Sequence, residues 1–196
     1  MEAKELLKRY ALGHRNFLNV YLMGLDLSGT NLSGIKLAHA EIKDTNLKGA
    51  NLKEVSLGWT ILDGCDLEDA NLEGAAVESC FSTNLKKANL DRCYFLSEGR
   101  MEHCNLEGAT LRQARFQNFT IEKSNLQNVD LQGMAGFGLT LIDVDLRGMV
   151  NFASPALRDI HLHNTILPNG QLIREWQGDG AGLRKLETKT AILEKL

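Results

Sequence analysis

From Phe17 onward a large apolar residue recurs at every fifth position. The centres run Leu22, Leu27, Leu32, Leu37, Ile42, Leu47, Leu52, Leu57, Leu62, Leu67 and Leu72 to Val77. Two places before most centres stands a small or β-branched residue (Thr30, Ala40, Thr45, Ala50, Val55, Thr60, Ala70, Ala75), and Asp or Asn often fills the place between. A period of five matches neither an α-helix nor a simple alternating strand. It fits a short strand followed by a bend: residues two apart point the same way, so the small residue and the Leu face inward while the Asp or Asn faces water. The next two residues, often ending in Gly, turn the corner. Segments of this kind stack into a continuous apolar column that no single repeat could bury, which predicts a solenoid.

After Val77 the register breaks. Eight residues separate it from Leu85, and the spacing predicts three extra residues bulging from a corner within 78–82, with Cys80 off the repeat and exposed. Leu85, Leu90 and Phe95 follow. A one-residue slip leads to Met101, and the period then holds through Leu146 with a defective slot at Gly136. A further slip precedes Phe152, Leu157, Leu162 and Leu167, giving thirty centres in all.

Matches such as Ala50-Asn51-Leu52, Ala70-Asn71-Leu72, Ala88-Asn89-Leu90 and Cys104-Asn105-Leu106 resemble the A(D/N)LXX motif of the pentapeptide-repeat family. The resemblance implies an all-β, right-handed quadrilateral parallel β-helix, with about twenty residues per coil. Four sides per coil give about seven and a half coils, a body about 36 Å long at ~4.8 Å per rung. The opening, Glu5 to Ala11 followed by Gly13-His14-Arg15-Asn16-Phe17, and the ending, Thr165-Ile166-Leu167-Pro168-Asn169-Gly170, are similar to cyanobacterial members. The opening also resembles a member that influences heterocyst differentiation by acting on a regulatory protein.

Three regions follow: an N-terminal helical cap (1–15), the β-helix (16–168), and a linker with a C-terminal helix (169–196). Leu6, Leu7, Tyr10 and Ala11 share one helical face, and a helix there would cover the open end of the solenoid. Residues 171–182 read as a loop anchored by Trp176. Leu183, Leu186, Leu193 and Leu196 suggest a short amphipathic helix that either caps the far end or makes a dimer; the chain is expected to be a monomer or a dimer through this terminal helix.

Charge and composition narrow the function. Net charge is −3 with both signs mixed, so no bulk attraction to nucleic acid is implied, and no run is long and apolar enough to span a membrane. A cytoplasmic setting is expected. Cys65, Cys93 and Cys104 occupy the inward small-residue slot and read as packing residues; no CxxC spacing occurs. No nucleophile, base and acid assemble into a catalytic set, and the glycines are single corner residues, so no enzyme activity and no cofactor is expected. His161 and His163 flank Leu162 and project together, a two-His pair with no evident third ligand.

Counting centres modulo four puts Leu32, Leu52, Leu72, Phe95, Phe116, Gly136 and Leu157 on one side. Its outward positions include Tyr94, Leu96, Arg115, Gln117 and Phe137, with Trp59 outward at a corner of a neighbouring side. That apolar cluster is the candidate interaction surface. The competing reading turns Phe137 inward, with Met134, to fill the Gly136 slot. The expected function is a non-catalytic protein–protein interaction module or scaffold with a regulatory role in a cyanobacterium, its protein partner unidentified. The alternative comes from the acidic run Asp63, Asp66, Glu68, Asp69 and Glu73. Family members associated with quinolone resistance resemble duplex DNA in shape and charge and bind DNA gyrase. The lysines and arginines that interrupt the run here argue against continuous acidic rows.

Overall fold

The computed structural model describes residues 1–183 and 185–186. A helix, α1 (Ala3–Ala11), precedes a parallel β-helix of about seven turns. Its four sides are visible in the ladders. Parallel bridges link Asn16 to Lys36, Asp26 to Asn46 and Asn31 to Asn51, while β1 (Tyr21–Met23) pairs with β2 (Glu41–Lys43), each step advancing by twenty residues. Face 1 thus carries the centres Phe17, Leu37, Leu57, Val77, Phe95, Phe116, Gly136 and Leu157. Face 2 begins with Leu22, face 3 with Leu27 and face 4 with Leu32.

Nearly every centre is buried, and together with the small residues two places earlier they form one continuous core. The polar members of the small slot are satisfied by the coil below: Thr45 Oγ1 donates to the Leu22 carbonyl at 3.3 Å, Thr60 Oγ1 to Leu37 at 2.6 Å, and Cys93 Sγ to Leu72 at 3.1 Å. The outward Asn and Asp build ladders. Asn46 Nδ2 donates to Asp26 Oδ1 and Asn51 Nδ2 to Asn31 Oδ1, both at 3.1 Å, while the same oxygens accept the amide two residues on, as Asn51 Oδ1 does from Lys53 N. Each therefore closes its own corner and ties it to the next rung. The corner residue two places after a centre repeatedly adopts positive φ, at glycines and also at Asn19, His39, Trp59 and Lys87.

The break after Val77 is a shortening. Cys80 is buried and pairs with Leu62 below and Met101 above, so it is a face 2 centre. It follows Leu62 by 18 residues where Ile42 and Leu62 are 20 apart. The expected exposed bulge is absent, because β4 (Ala76–Phe81) runs extended through the corner that a turn would have formed. This missed centre displaces the modulo-four count by one. Leu32, Leu52 and Leu72 belong to face 4, and Phe95, Phe116, Gly136 and Leu157 stack instead above Leu57 and Val77 on face 1.

Above this point faces 1 and 2 merge into longer strands: β5 (Tyr94–Glu102), β6 (Arg115–Glu122) and β7 (Ala135–Ile142). Two of the inward slots at their shared corner hold large side chains, Phe119 and Leu139. Gly99, in the equivalent slot of β5, leaves room for Phe119. Short β8 (Leu157–Arg158) and β9 (Ile160–Ile166) pair with β7.

At the N-terminal end α1 buries Leu6 against the first coil, and Tyr10 donates its hydroxyl to the Ser33 carbonyl at 2.8 Å. At the far end the expected loop is a strand. β10 (Leu172–Gly178) folds back antiparallel onto β9, pairing Trp176 with Leu162. The Pro168-Asn169-Gly170 turn makes this hairpin possible. Trp176 packs against the core, and Cβ atoms on Gly178 and Gly182 would stand 2.5 and 3.0 Å from its ring. Residues 180–183 and 185–186 are helical, with Leu183 buried. Leu193 and Leu196 lie outside the described residues, as does most of the anticipated terminal helix.

Candidate protein-interaction surface

Face 1 becomes distinctive from the fifth coil on. Its floor is aromatic: the Phe95 and Phe116 rings stack with centroids 4.3 Å apart and planes 3° from parallel, and Phe119 meets both edge-on at 5.1 and 5.8 Å. Such pairs fix one another's rotamers. At Gly136, the next rung, a Cβ would lie 2.4 Å from the Phe116 carbonyl oxygen, so the backbone closes down on the coil below and only glycine fits. Phe137 accordingly turns outward, 50% exposed, and does not fill the slot; Met134 is buried beneath.

The outward residues line a shallow groove of about 590 Å³ that includes Tyr94, Leu96, Arg115, Gln117, Ala135 and Phe137. Strand register places Tyr94, Arg115 and Ala135 in one outward column, and Gln117, Phe137 and Arg158 in the other. The Arg115 guanidinium lies over the Tyr94 ring at 5.7 Å from its centroid.

Trp59 belongs to the same face, as the corner residue after Leu57. It is 72% exposed at φ 58°, a backbone region bulky residues seldom occupy. Its amide donates to the Glu78 carboxylate, and its ring runs parallel to that of His39, centroids 6.2 Å apart. Leu96 links this corner to the groove by reaching back across coil four, such that a Cβ on Gly58 would be 3.7 Å from Leu96 Cδ1. Trp59, Tyr94, Leu96, Arg115 and Phe137 therefore share one side, where the count from sequence had put Trp59 next door. His39 was not singled out from sequence, although its spacing of twenty from Trp59 carried the signal. Exposed Tyr21, Met23 and Ile61 on face 2 were also missed.

Three of the five carboxylates in the acidic run on faces 2 to 4 meet a cation from an adjacent rung. Lys43 lies 4.0 Å from Asp63, Lys48 3.1 Å from Glu68, Lys53 3.1 Å from Glu73, and Arg92 3.0 Å from Glu73. Lys53 and Arg92 hold the Glu73 carboxyl below its ordinary value, and hydrogen bonding to Glu68 raises Lys48. This side presents alternating charge.

Elsewhere the chemistry is structural. Burial pushes the thiols up, Cys93 to about 12 and Cys104 to about 11, and Cys80 well above the usual range. They are thus protonated packing groups. His161 Nε2 lies 3.1 Å from Asp159 Oδ1, and His161 and His163 pair across the hairpin with Gln177 and Glu175. Among the described residues no three His, Cys, Asp or Glu gather as a metal site, and no helix is long and apolar enough to cross a membrane.

A family model for pentapeptide repeats matches residues 16–53, 50–78 and 96–133 in eight copies. The chain belongs to the pentapeptide-repeat family. The gap at 79–95 opens at the shortened corner between Val77 and Cys80, although Cys80, Leu85, Leu90 and Phe95 within it are again five residues apart. No curated protein matches. Among solved structures, the pentapeptide-repeat protein alr5209 from Nostoc Pcc 7120 is 31% identical over 52% of this chain and 80% of its own, with a TM-score of 0.37. HetL from Nostoc sp. strain PCC 7120, described as involved in heterocyst differentiation regulation, is 22% identical over 88% of this chain and all of its own, with a TM-score of 0.27. QnrB1, a plasmid-mediated fluoroquinolone resistance protein, is 19% identical over 90% of this chain and 89% of its own, with a TM-score of 0.45.

Proposed function

We propose that the protein is a non-catalytic interaction module in a cyanobacterium, a rigid β-helix whose face 1, between Trp59 and Phe137, docks another protein in a regulatory role. The observation that supports this reading is the gathering of Trp59, Tyr94, Leu96 and Phe137 on one side of a solenoid whose faces 2, 3 and 4 carry ion pairs between rungs. Clustered apolar surface with a single arginine is the composition of binding hot spots. The stacked Phe95 and Phe116 beneath make the surface stiff, so little ordering entropy opposes docking. The reading invokes no cofactor, nucleic acid or membrane.

The test is a quantitative pull-down from cyanobacterial lysate with wild type beside a Leu96→Glu, Phe137→Glu double variant, its fold checked by circular dichroism. A protein enriched by wild type and lost from the folded variant is the expected result. Equal enrichment by both, or none by either, would contradict the proposal.

A further inference from the structure

Arg115 differs from most other arginines of the coils. Arg92, Arg100, Arg112 and Arg147 each hold a carboxylate, those of Glu73, Glu122, Asp130 and Asp145. Among the described residues the Arg115 guanidinium has no carboxylate partner and lies over the Tyr94 ring, 5.7 Å from its centroid. Arg158, paired with Phe137 in the next rung, gives its Nη1 to the Pro155 and Leu157 carbonyls at 2.6 and 3.2 Å and likewise has no carboxylate. In a chain of net charge −3, one guanidinium with no carboxylate partner, that of Arg115, thus lines the apolar groove, and Arg158 follows in register beyond Phe137. An arginine stacked on an aromatic ring keeps its N–H edge available for bidentate bonding to a carboxylate.

The groove also restricts how anything can bind there. Strands β5, β6 and β7 are each paired on both sides, so a visiting chain cannot add as a further strand and must be held through side chains. Ala135 and Gly136 contribute little side-chain bulk, which leaves the space between Leu96 and Phe137 open to an apolar group.

We infer that this groove docks a segment of a partner protein presenting an aromatic or aliphatic side chain beside a carboxylate, the apolar group lying between Leu96 and Phe137 and the carboxylate meeting Arg115. The inference rests on the reading of face 1 as a docking surface and adds the chemistry of the partner.

The test is fluorescence anisotropy of the full-length protein with three labelled peptides, alike in a central Phe-Leu pair and flanked by Glu, by Gln or by Lys, and a fourth in which Ser replaces the pair in the Glu peptide. The Glu peptide is expected to bind about tenfold tighter than the Gln peptide, as one charge-assisted contact allows. The Lys peptide should bind weakest, and the Ser peptide not at all. Arg115→Glu should reverse the order of the Glu and Lys peptides, whereas Arg112→Glu, altering an arginine outside the groove, should not. Equal affinity for the three charge variants, or an order unchanged by Arg115→Glu, would overturn the inference while leaving a partner captured through face 1 intact. A concentration-dependent dimer in sedimentation that Phe137→Glu abolishes would overturn it too, because the occupant would then be a second copy of the chain.

Discussion

Phe119 occupies the space that a side chain on Gly99 would fill: a Cβ at position 99 would lie 2.5 Å from the Phe119 ring and 2.3 Å from the Glu78 carbonyl oxygen. The two residues stand in the same inward slot of adjacent rungs, one empty and one overfull. Gly99→Ala should cost about 1 to 3 kcal/mol by overpacking, and Phe119→Ala about 3 to 5 kcal/mol by cavity formation. Because one clash disappears with the ring, Gly99→Ala should cost less in the Phe119→Ala background, with a coupling on the order of 1 kcal/mol. Urea denaturation of the four proteins measures it, and strict additivity would show that the slots are independent.

The ladder and the core column make separable contributions. Asn105 Oδ1 accepts from the Glu107 amide and from Asn125 Nδ2, both at 3.2 Å. Asn105→Ala should cost roughly 1 to 2 kcal/mol, and Asn105→Asp less, since the aspartate keeps both acceptor roles. Leu111→Ala, in the middle of face 4, should cost roughly 2 to 5 kcal/mol. No loss on Leu111→Ala would show that this column is not the core.

The five-residue period made most of the fold legible because each rung repeats the same inward pair, so an error in one copy is outvoted by its neighbours. The exception was the coil that ends at Cys80. There two corner residues are missing, a strand replaces the turn, and a cysteine stands where Leu would have marked the centre. That one omission moved the face count and with it the place of Trp59, although Tyr94, Leu96, Arg115 and Phe137 remained together because they all lie beyond it. The outward turn of Phe137 depends on how closely the backbone at Gly136 approaches Phe116, a tertiary distance that a lone glycine does not announce. β10 was obscured in a similar way, since Leu172 to Gln177 shows no clean alternation and only the β9 edge decides its conformation.

All four cysteines should be silent in the native protein. They are buried and their thiols are raised by that burial, so the thiolate needed for attack is scarce. Ellman's reagent at pH 8 should titrate none until denaturant is added, then all four. Rapid native reaction of one thiol would contradict the placement of Cys80 as a core centre.

Acid should weaken the protein over a defined range. The Arg147 side chain holds the Asp145 carboxyl at about 2 against an ordinary 3.8, with Gln127 assisting. A carboxyl whose folded value lies below its unfolded value adds stability that is fully present above the unfolded value and is lost as pH falls through the folded one. The urea midpoint should therefore hold from neutral pH to about 4 and fall between about 4 and 2, less steeply in Asp145→Asn. An identical slope in wild type and variant would sink this assignment.

The most direct test of face 1 as the docking surface is site-specific photocrosslinking in cyanobacterial cells, with benzoylphenylalanine placed at Phe137 or, on face 3, at Gln127. A discrete adduct with one other protein from position 137 and none from 127 is the predicted result. An adduct of equal strength from 127, or none from 137 in the folded protein, would contradict it.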